Sequence, residues 1–110
     1  MMIHDGKSIP KDLNPWDPNA SEWLTIVWDA DVACKGNITS SSWLLPTGWT
    51  NLDEREDVPV LDCDSTAYEH ANQVLLSTTE VEGIFTFTNR VTFTDTTSLD
   101  RSVKIKVKAT

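Results

Sequence analysis

The chain has 110 residues, of which 39% are hydrophobic and 24% are charged, the composition of one globular domain rather than of a disordered segment. Nine Lys and Arg residues against 17 Asp and Glu residues give a net charge of −8. That balance argues against nucleic-acid binding, which needs a basic face. The apolar runs are short, so we predict no membrane span, and the start of the chain lacks the pattern of a secretory signal peptide.

The first 20 residues contain three prolines and no periodic apolar pattern, which predicts an extended arm ahead of a domain over residues 21–110. The arm carries Ile9, Leu13 and Trp16, side chains that a solvated tail would not need. We therefore expect the arm to dock, either on its own domain or on a neighbouring protein.

The first half of the domain predicts strands separated by loops. Residues 22–29 and 37–45 are rich in β-branched and aromatic side chains, and the first has apolar residues on both faces. We interpret residues 31–36 as a turn or loop. The run D-E-R-E-D at 53–57 is expected to be a solvated loop.

The second half shows clearer alternation. Residues 58–61 predict a short edge strand because of Pro59, and residues 65–70 have only weak helical character. A strand is predicted over 72–77, followed by a turn at 80–83. Phenylalanines and valines then alternate with threonines up to Thr94, and a last strand places Lys104, Lys106 and Lys108 on one water-facing side.

Five to seven short strands with frequent turn signals and no convincing helix favour an all-β fold, a small immunoglobulin-like β-sandwich. The last two strands are expected to form a hairpin. Asn89 interrupts the apolar face of its strand and needs hydrogen-bond partners if it is buried. Arg90 lies on the opposite face, where it would pair with an acidic loop or contact a neighbouring subunit.

Residues able to carry chemistry are scattered. His4 and His70 are expected on the solvated surface, because no nucleophile motif accompanies them. Cys34 and Cys63 lack the spacing of a metal clip and are expected to be free thiols. An irregular calcium site at Asp62 and Asp64 stays open, but nothing in the sequence requires a cofactor.

Five tryptophans are a high number for this length. We assign Trp28 and Trp43 to the core of the sandwich. Trp16 and Trp49 lie near prolines, where burial in an interface and docking within the chain are both open.

Several short motifs, in order, resemble small Ig-like virion proteins of tailed bacteriophages, of the fiber-tail adaptor type. They are D-P-N-A at 17–20 before a Trp-containing strand, I-T-S-S-S-W at 38–43 followed by P-T-G, T-N-R-V-T at 88–92, and R-S-V-K-I-K-V at 101–107. The resemblance covers roughly residues 17–48 and 74–107. The chain departs from the pattern at residues 96–98, T-T-S, where that family usually has a glycine in the turn.

The resemblance implies a structural protein without enzymatic activity, assembled in the host cytoplasm into the virion. It would link the tail or head–tail connector to fiber or neighbouring tail proteins, in multiple copies of a symmetric assembly. A capsid decoration protein is the nearest alternative. A carbohydrate-binding module using Trp16, Trp49 or Tyr68, and a small hydrolase, are alternatives of other classes. The predicted interface residues are Ile9, Leu13, Trp16, Trp49, Arg90, Lys104, Lys106 and Lys108.

Overall fold

The computed structural model describes residues 2–4, 21–61 and 65–108, and these parts form seven strands and one short helix. In chain order the elements are β1 (Met2–His4), β2 (Glu22–Val27), α1 (Asp29–Lys35), β3 (Ile38–Leu44), β4 (Trp49–Leu61), β5 (Ala67–Thr78), β6 (Glu82–Phe93) and β7 (Ser98–Lys108).

The strands form two sheets, one of four strands in the order β1-β2-β5-β4 and one of three in the order β3-β6-β7. The pairing of β1 with β2 is parallel, with Ile3 opposite Ile26, and the other pairings are antiparallel. The predicted hairpin of the last two strands is confirmed, with Phe87 opposite Val103. The all-β sandwich predicted from the sequence is therefore confirmed.

The core lies between the two sheets, where the inward faces of β2, β5, β6 and β7 are apolar. Leu24, Ile26, Val74 and Leu76 of the first sheet pack against the inward residues of β6 and β7. Trp28 is fully buried and meets Phe93 edge to face at 5.9 Å between ring centroids. The inward residues of β6 and β7 are Phe87, Val91, Phe93, Val103, Ile105 and Val107.

The predicted strands over 22–29 and 37–45 are confirmed as β2 and β3. Leu24, Thr25, Ile26 and Val27 are all buried, so β2 is covered on both faces, as its apolar pattern predicted. Trp28 and Trp43 contribute to the core, although Trp43 is only half-buried.

Two local predictions are wrong. The turn predicted at 31–36 lies largely within helix α1, which tertiary contacts stabilise despite its seven residues. The D-E-R-E-D run is solvated as expected but belongs to β4, where pairing with β5 imposes the strand. Residues 67–70, which have only weak helical character in the sequence, begin β5.

The turn between β6 and β7 has a threonine in a backbone conformation that favours glycine. Thr96 has φ = 72°, in the left-handed region that β-branched residues rarely adopt. Its N–H donates to the carbonyl of Phe93 at 2.9 Å, and Asp95 Oδ1 accepts the N–H of Thr97 at 3.0 Å. These bonds hold the hairpin turn in place of glycine's conformational freedom.

The predicted arm over residues 1–20 falls mostly outside the described residues. Its described part, β1, lies within the chain's own sheet as the outer neighbour of β2.

Candidate functional site

The outer strands of the two sheets are the surfaces with unpaired backbone groups. In the described chain they are β1 and β4 in one sheet and β3 and β7 in the other. Each outer strand presents N–H and C=O groups on one side, which another chain can pair with unless side chains prevent it. What each outer strand can bind is therefore decided by the residues it carries.

Strand β7 is a basic outer strand. Lys104, Lys106 and Lys108 are exposed and alternate with buried valine and isoleucine residues. Because side chains two positions apart share a face, the three ammonium groups form one row with a spacing of about 7 Å along the strand. The prediction of a water-facing lysine row on an outer strand matches this geometry.

Strand β4 is an acidic outer strand. Asp53, Glu54 and Glu56 are exposed, and the register with β5 shifts on both sides of this stretch. Asn51 Nδ2 donates to Glu54 Oε2 at 2.6 Å, and the guanidinium of Arg55 lies 4.5 Å from the ring centroid of Trp23. The side chain of Arg55 therefore lies on the outer face of the sheet with Trp23, and carboxylates are the main charged groups along the edge of β4.

The acidic and basic strands lie on opposite sides of the sandwich. β7 lies over β2, because Arg101 Nη1 donates to the carbonyl of Val27 at 3.0 Å. β5 lies over β6, because Asn72 Nδ2 donates to Asn89 Oδ1 at 2.9 Å. β3 lies over β4, with which it is in contact. Along the sandwich, β7 is therefore an outer strand at one side and β4 an outer strand at the other.

The sequence-predicted interface residues do not form one site. Ile9, Leu13 and Trp16 lie outside the described residues. Trp49 is not at an exposed loop: it is 8% exposed, and its ring lies edge to face 4.7 Å from that of Phe87. Trp49 begins β4 beside the inward-facing Phe87, so the sandwich itself buries its ring. Trp49 is therefore a residue of the core and not of the predicted interface.

Arg90 has a partner within the chain. Its Nε and Nη2 donate to the two carboxylate oxygens of Asp100 at 2.8 and 3.0 Å, directly across the β6–β7 pair. These hydrogen bonds, and then the charge attraction, raise the pKa of Arg90 and lower that of Asp100. The acidic partner predicted for Arg90 is thus a residue of β7 rather than of a loop.

The prediction that buried Asn89 needs partners is confirmed by a polar network between the sheets. Asn89 Oδ1 accepts from Trp28 Nε1 and Asn72 Nδ2, each at 2.9 Å. Asn89 Nδ2 donates to Ser41 Oγ and to the carbonyl of Ser42, each at 2.9 Å. Both ends of the amide are satisfied, so this network fixes β5, β6 and β3 relative to one another.

The network continues to the only carboxylate–histidine pair in the described chain. Asp57, with φ = 52°, donates its N–H to Asn72 Oδ1 at 2.8 Å, and its Oδ1 lies 2.6 Å from His70 Nδ1. Asp29 accepts the N–H groups of Glu69 and His70 at 3.0 and 2.8 Å. His70 is half-buried in β5, not on a solvated loop as predicted.

This pair joins β4, β5 and α1, and the structure gives it a structural use. A general base also needs a nucleophile within hydrogen-bond reach. In the described residues the ring of His70 has a hydrogen bond to Asp57 and none to a serine or threonine hydroxyl. We therefore describe Asp57–His70 as a connection between elements.

Candidate metal ligands are not grouped in residues 2–4, 21–61 and 65–108, where no cluster of three His, Cys, Asp or Glu side chains is found. Asp62, Asp64 and Cys63 lie outside those ranges, so the calcium prediction stays a prediction. Cys34 is a free and exposed thiol. Within the described chain no helix has the length and apolar character to cross a membrane.

Comparison with protein-family models, with curated proteins and with solved structures finds no match to this chain.

Proposed function

We propose that this chain is a structural virion protein of a tailed bacteriophage, an Ig-like adaptor that joins the tail or head–tail connector to fiber or neighbouring tail proteins. The observation that carries the proposal is the pair of charged outer strands, basic β7 and acidic β4, on opposite sides of one sandwich. A domain with two such sides is suited to standing between two other polypeptides.

The placement of the resembling motifs supports the proposal. The I-T-S-S-S-W motif coincides with β3, whose Trp43 packs against the core. The T-N-R-V-T motif supplies Asn89, the centre of the polar network, and R-S-V-K-I-K-V is the length of β7 that begins at Arg101. Each of these three motifs thus has a structural role in the sandwich.

The proposed mechanism is assembly by surface burial, without a catalytic step, a cofactor or a nucleic acid. Outer strands would add backbone hydrogen bonds to a neighbour, and opposite charges would select which neighbour binds. Repetition in a symmetric particle would convert individually weak contacts into stable attachment.

The apolar residues of the predicted arm are assigned the second contact. Ile9, Leu13 and Trp16 would insert into a neighbouring virion protein while the strands on either side of this segment form the sandwich. Because β1 pairs with β2, deletion of residues 1–16 would also remove a strand from the fold. Substitution of the three apolar residues in the full chain is therefore the sharper test.

The experiment is labelling of purified particles of the phage that encodes the chain, with an antibody raised against the purified protein. The proposal expects label at the tail or the connector. Label spread over the capsid would replace it with the decoration-protein alternative, and absence of the chain from washed particles would overturn both.

In the same system, the variant Ile9→Ser/Leu13→Ser/Trp16→Ser should fold and fail to incorporate. The matched control is Ser8→Ala/Asp12→Ser/Asn14→Ser, which changes three polar residues of the same segment and should incorporate normally. Normal incorporation of the apolar variant would refute the arm's assigned role.

The hypothesis of a carbohydrate-binding module is less well supported by the structure than by the sequence. Of its three candidate rings, Trp49 is buried in the core and Tyr68 is half-buried. A flat exposed aromatic platform is what sugar stacking requires. A glycan array probed with the purified chain would test this alternative, and the proposed function predicts no binding.

A further inference from the structure

We infer that copies of this chain associate head to tail, with acidic β4 of one copy lying beside basic β7 of the next. This inference rests on the proposed function and deepens it, because it names further copies of the same chain as the neighbours at both charged edges.

The charge patterns match in sign and in length. Lys104 to Lys108 covers four residue steps of an exposed strand, and Asp53 to Glu56 covers three. At about 3.4 Å per step, the two charged stretches are about 14 and 10 Å long. When the strands lie side by side, the two charged stretches can therefore overlap along most of their length, with the carboxylates of consecutive Asp53 and Glu54 on opposite faces of β4.

Both strands are open to pairing. In the described chain β4 pairs only with β5, and β7 pairs only with β6. The third outer strand with described side chains, β3, has the sequence I-T-S-S-S-W-L and carries no charge that would select a partner. The two charged outer strands are thus the edges with built-in selectivity.

The same charges exclude the simpler symmetric contacts. Two β7 strands would bring six ammonium groups together, and two β4 strands would bring their carboxylates together; like charges directly opposite destabilise strand pairs. Only β4 against β7 relieves both repulsions. Such a contact joins two different surfaces, so it does not close as a two-fold dimer and instead generates a ring or an open chain.

The test is sedimentation velocity of the full chain in about 0.02 M and about 0.5 M salt, where charges are screened beyond about 20 and about 4 Å respectively. The 12.3 kDa chain should sediment as dimers and larger species at low salt and shift toward monomer at high salt. A monomer at both salt concentrations, at the highest soluble concentration, would overturn the inference.

Charge-swap variants identify the edges. Lys104→Glu/Lys106→Glu/Lys108→Glu alone and Asp53→Lys/Glu54→Lys/Glu56→Lys alone should each remain monomeric, because each makes both edges alike in sign. An equimolar mixture of the two should associate. The chain that carries all six changes keeps the wild-type net charge of −8 and should also associate.

Failure of the six-fold variant or of the mixture to associate, with near-wild-type circular dichroism, would overturn the pairing of these edges. Lys106→Glu alone should weaken association, and Lys35→Glu in α1 is its control because it makes the same change of charge away from the two edges. Equal loss of association in both single variants would also overturn the pairing of these edges. None of these outcomes affects particle labelling, so the proposed function can fail or survive separately.

Discussion

Trp28 donates its indole N–H to the side-chain oxygen of Asn89 at 2.9 Å, across the two sheets and between residues 61 positions apart in the sequence. Both side chains are 0% exposed. The side-chain amide of Asn89 makes its four hydrogen bonds inside the sandwich, which makes it a polar centre within an apolar core.

Replacement of this centre should be costly. Asn89→Ala leaves the buried donors of Trp28 and Asn72 without their acceptor, at about 1–3 kcal/mol for each unsatisfied group. We expect the free energy of unfolding to fall by about 2–6 kcal/mol, measured by urea denaturation with tryptophan fluorescence.

The matched control is Thr88→Ala on the preceding position of the same strand, whose exposed hydroxyl lies 2.7 Å from that of Ser102. Its effect should be within about 0.5 kcal/mol. An equal loss of stability in both variants would show that the network contributes nothing specific.

Arg101 is the second position whose chemistry the fold depends on. Its guanidinium lies 4.4 Å from the ring centroid of Trp28, donates to the Val27 carbonyl and forms an ion pair with Asp31 of α1. Arg101→Lys cannot reproduce this planar arrangement and should destabilise the protein by about 1–2 kcal/mol.

Arg90→Lys is the control, because the pair of Arg90 with Asp100 is exposed. It tests whether replacing any arginine by lysine destabilises the protein. We expect its urea midpoint to stay close to that of the wild type. Near-equal midpoints for Arg101→Lys and the wild type would contradict the assigned role of Arg101.

Thr96 predicts a stabilising substitution. A β-branched residue at φ = 72° is strained, at a cost of about 1–2 kcal/mol that a glycine would remove. Part of this gain is offset because glycine has greater conformational freedom in the unfolded chain. Thr96→Gly should therefore raise the free energy of unfolding by about 0.5–1 kcal/mol.

Thr97→Gly is the neighbouring control, since Thr97 has no positive φ and its hydroxyl donates to Asp95. It should lower the thermal midpoint. A drop in midpoint for Thr96→Gly too would show that the turn gains nothing from glycine.

Asp100 gives a pH dependence of definite sign. Its pKa is lowered by the hydrogen bond from Arg90, so the folded state favours the ionised form. The stabilisation is present above the ordinary aspartate pKa of about 3.9 and is lost as pH falls through the lower folded-state value.

Thermal unfolding should thus show wild type above Asp100→Asn at pH 6, with the difference small because the pair is exposed and shrinking below about pH 3.9. In the Arg90→Gln background the difference at pH 6 should be reduced. A difference that grows on acidification would contradict this sign.

The strands that alternate apolar and polar residues could be predicted from the sequence, because burial of one face imposes a period of two. β6 and β7 show this most clearly, with Phe87, Val91, Val103 and Ile105 all buried. The lysine row of β7 followed directly from the same alternation.

The parts that could not be predicted depend on partners distant in sequence. Helix α1 is seven residues long, and Trp28 at its start makes no side-chain cap. Contacts of Asp29 with β5 and of Asp31 with Arg101 stabilise it instead. The acidic run of β4 has no alternation of apolar and polar residues, and only its pairing with β5 makes it a strand. The sequence therefore predicted a loop at this run and gave no sign of an acidic edge on the side of the sandwich opposite β7.

The most direct test of the account is a cryo-EM map of the native phage particle at a resolution that traces strands. We predict repeated copies of this sandwich at the tail or connector, each with β4 beside β7 of the next copy. A particle without the chain, or with single copies whose outer strands all face solvent, would contradict it.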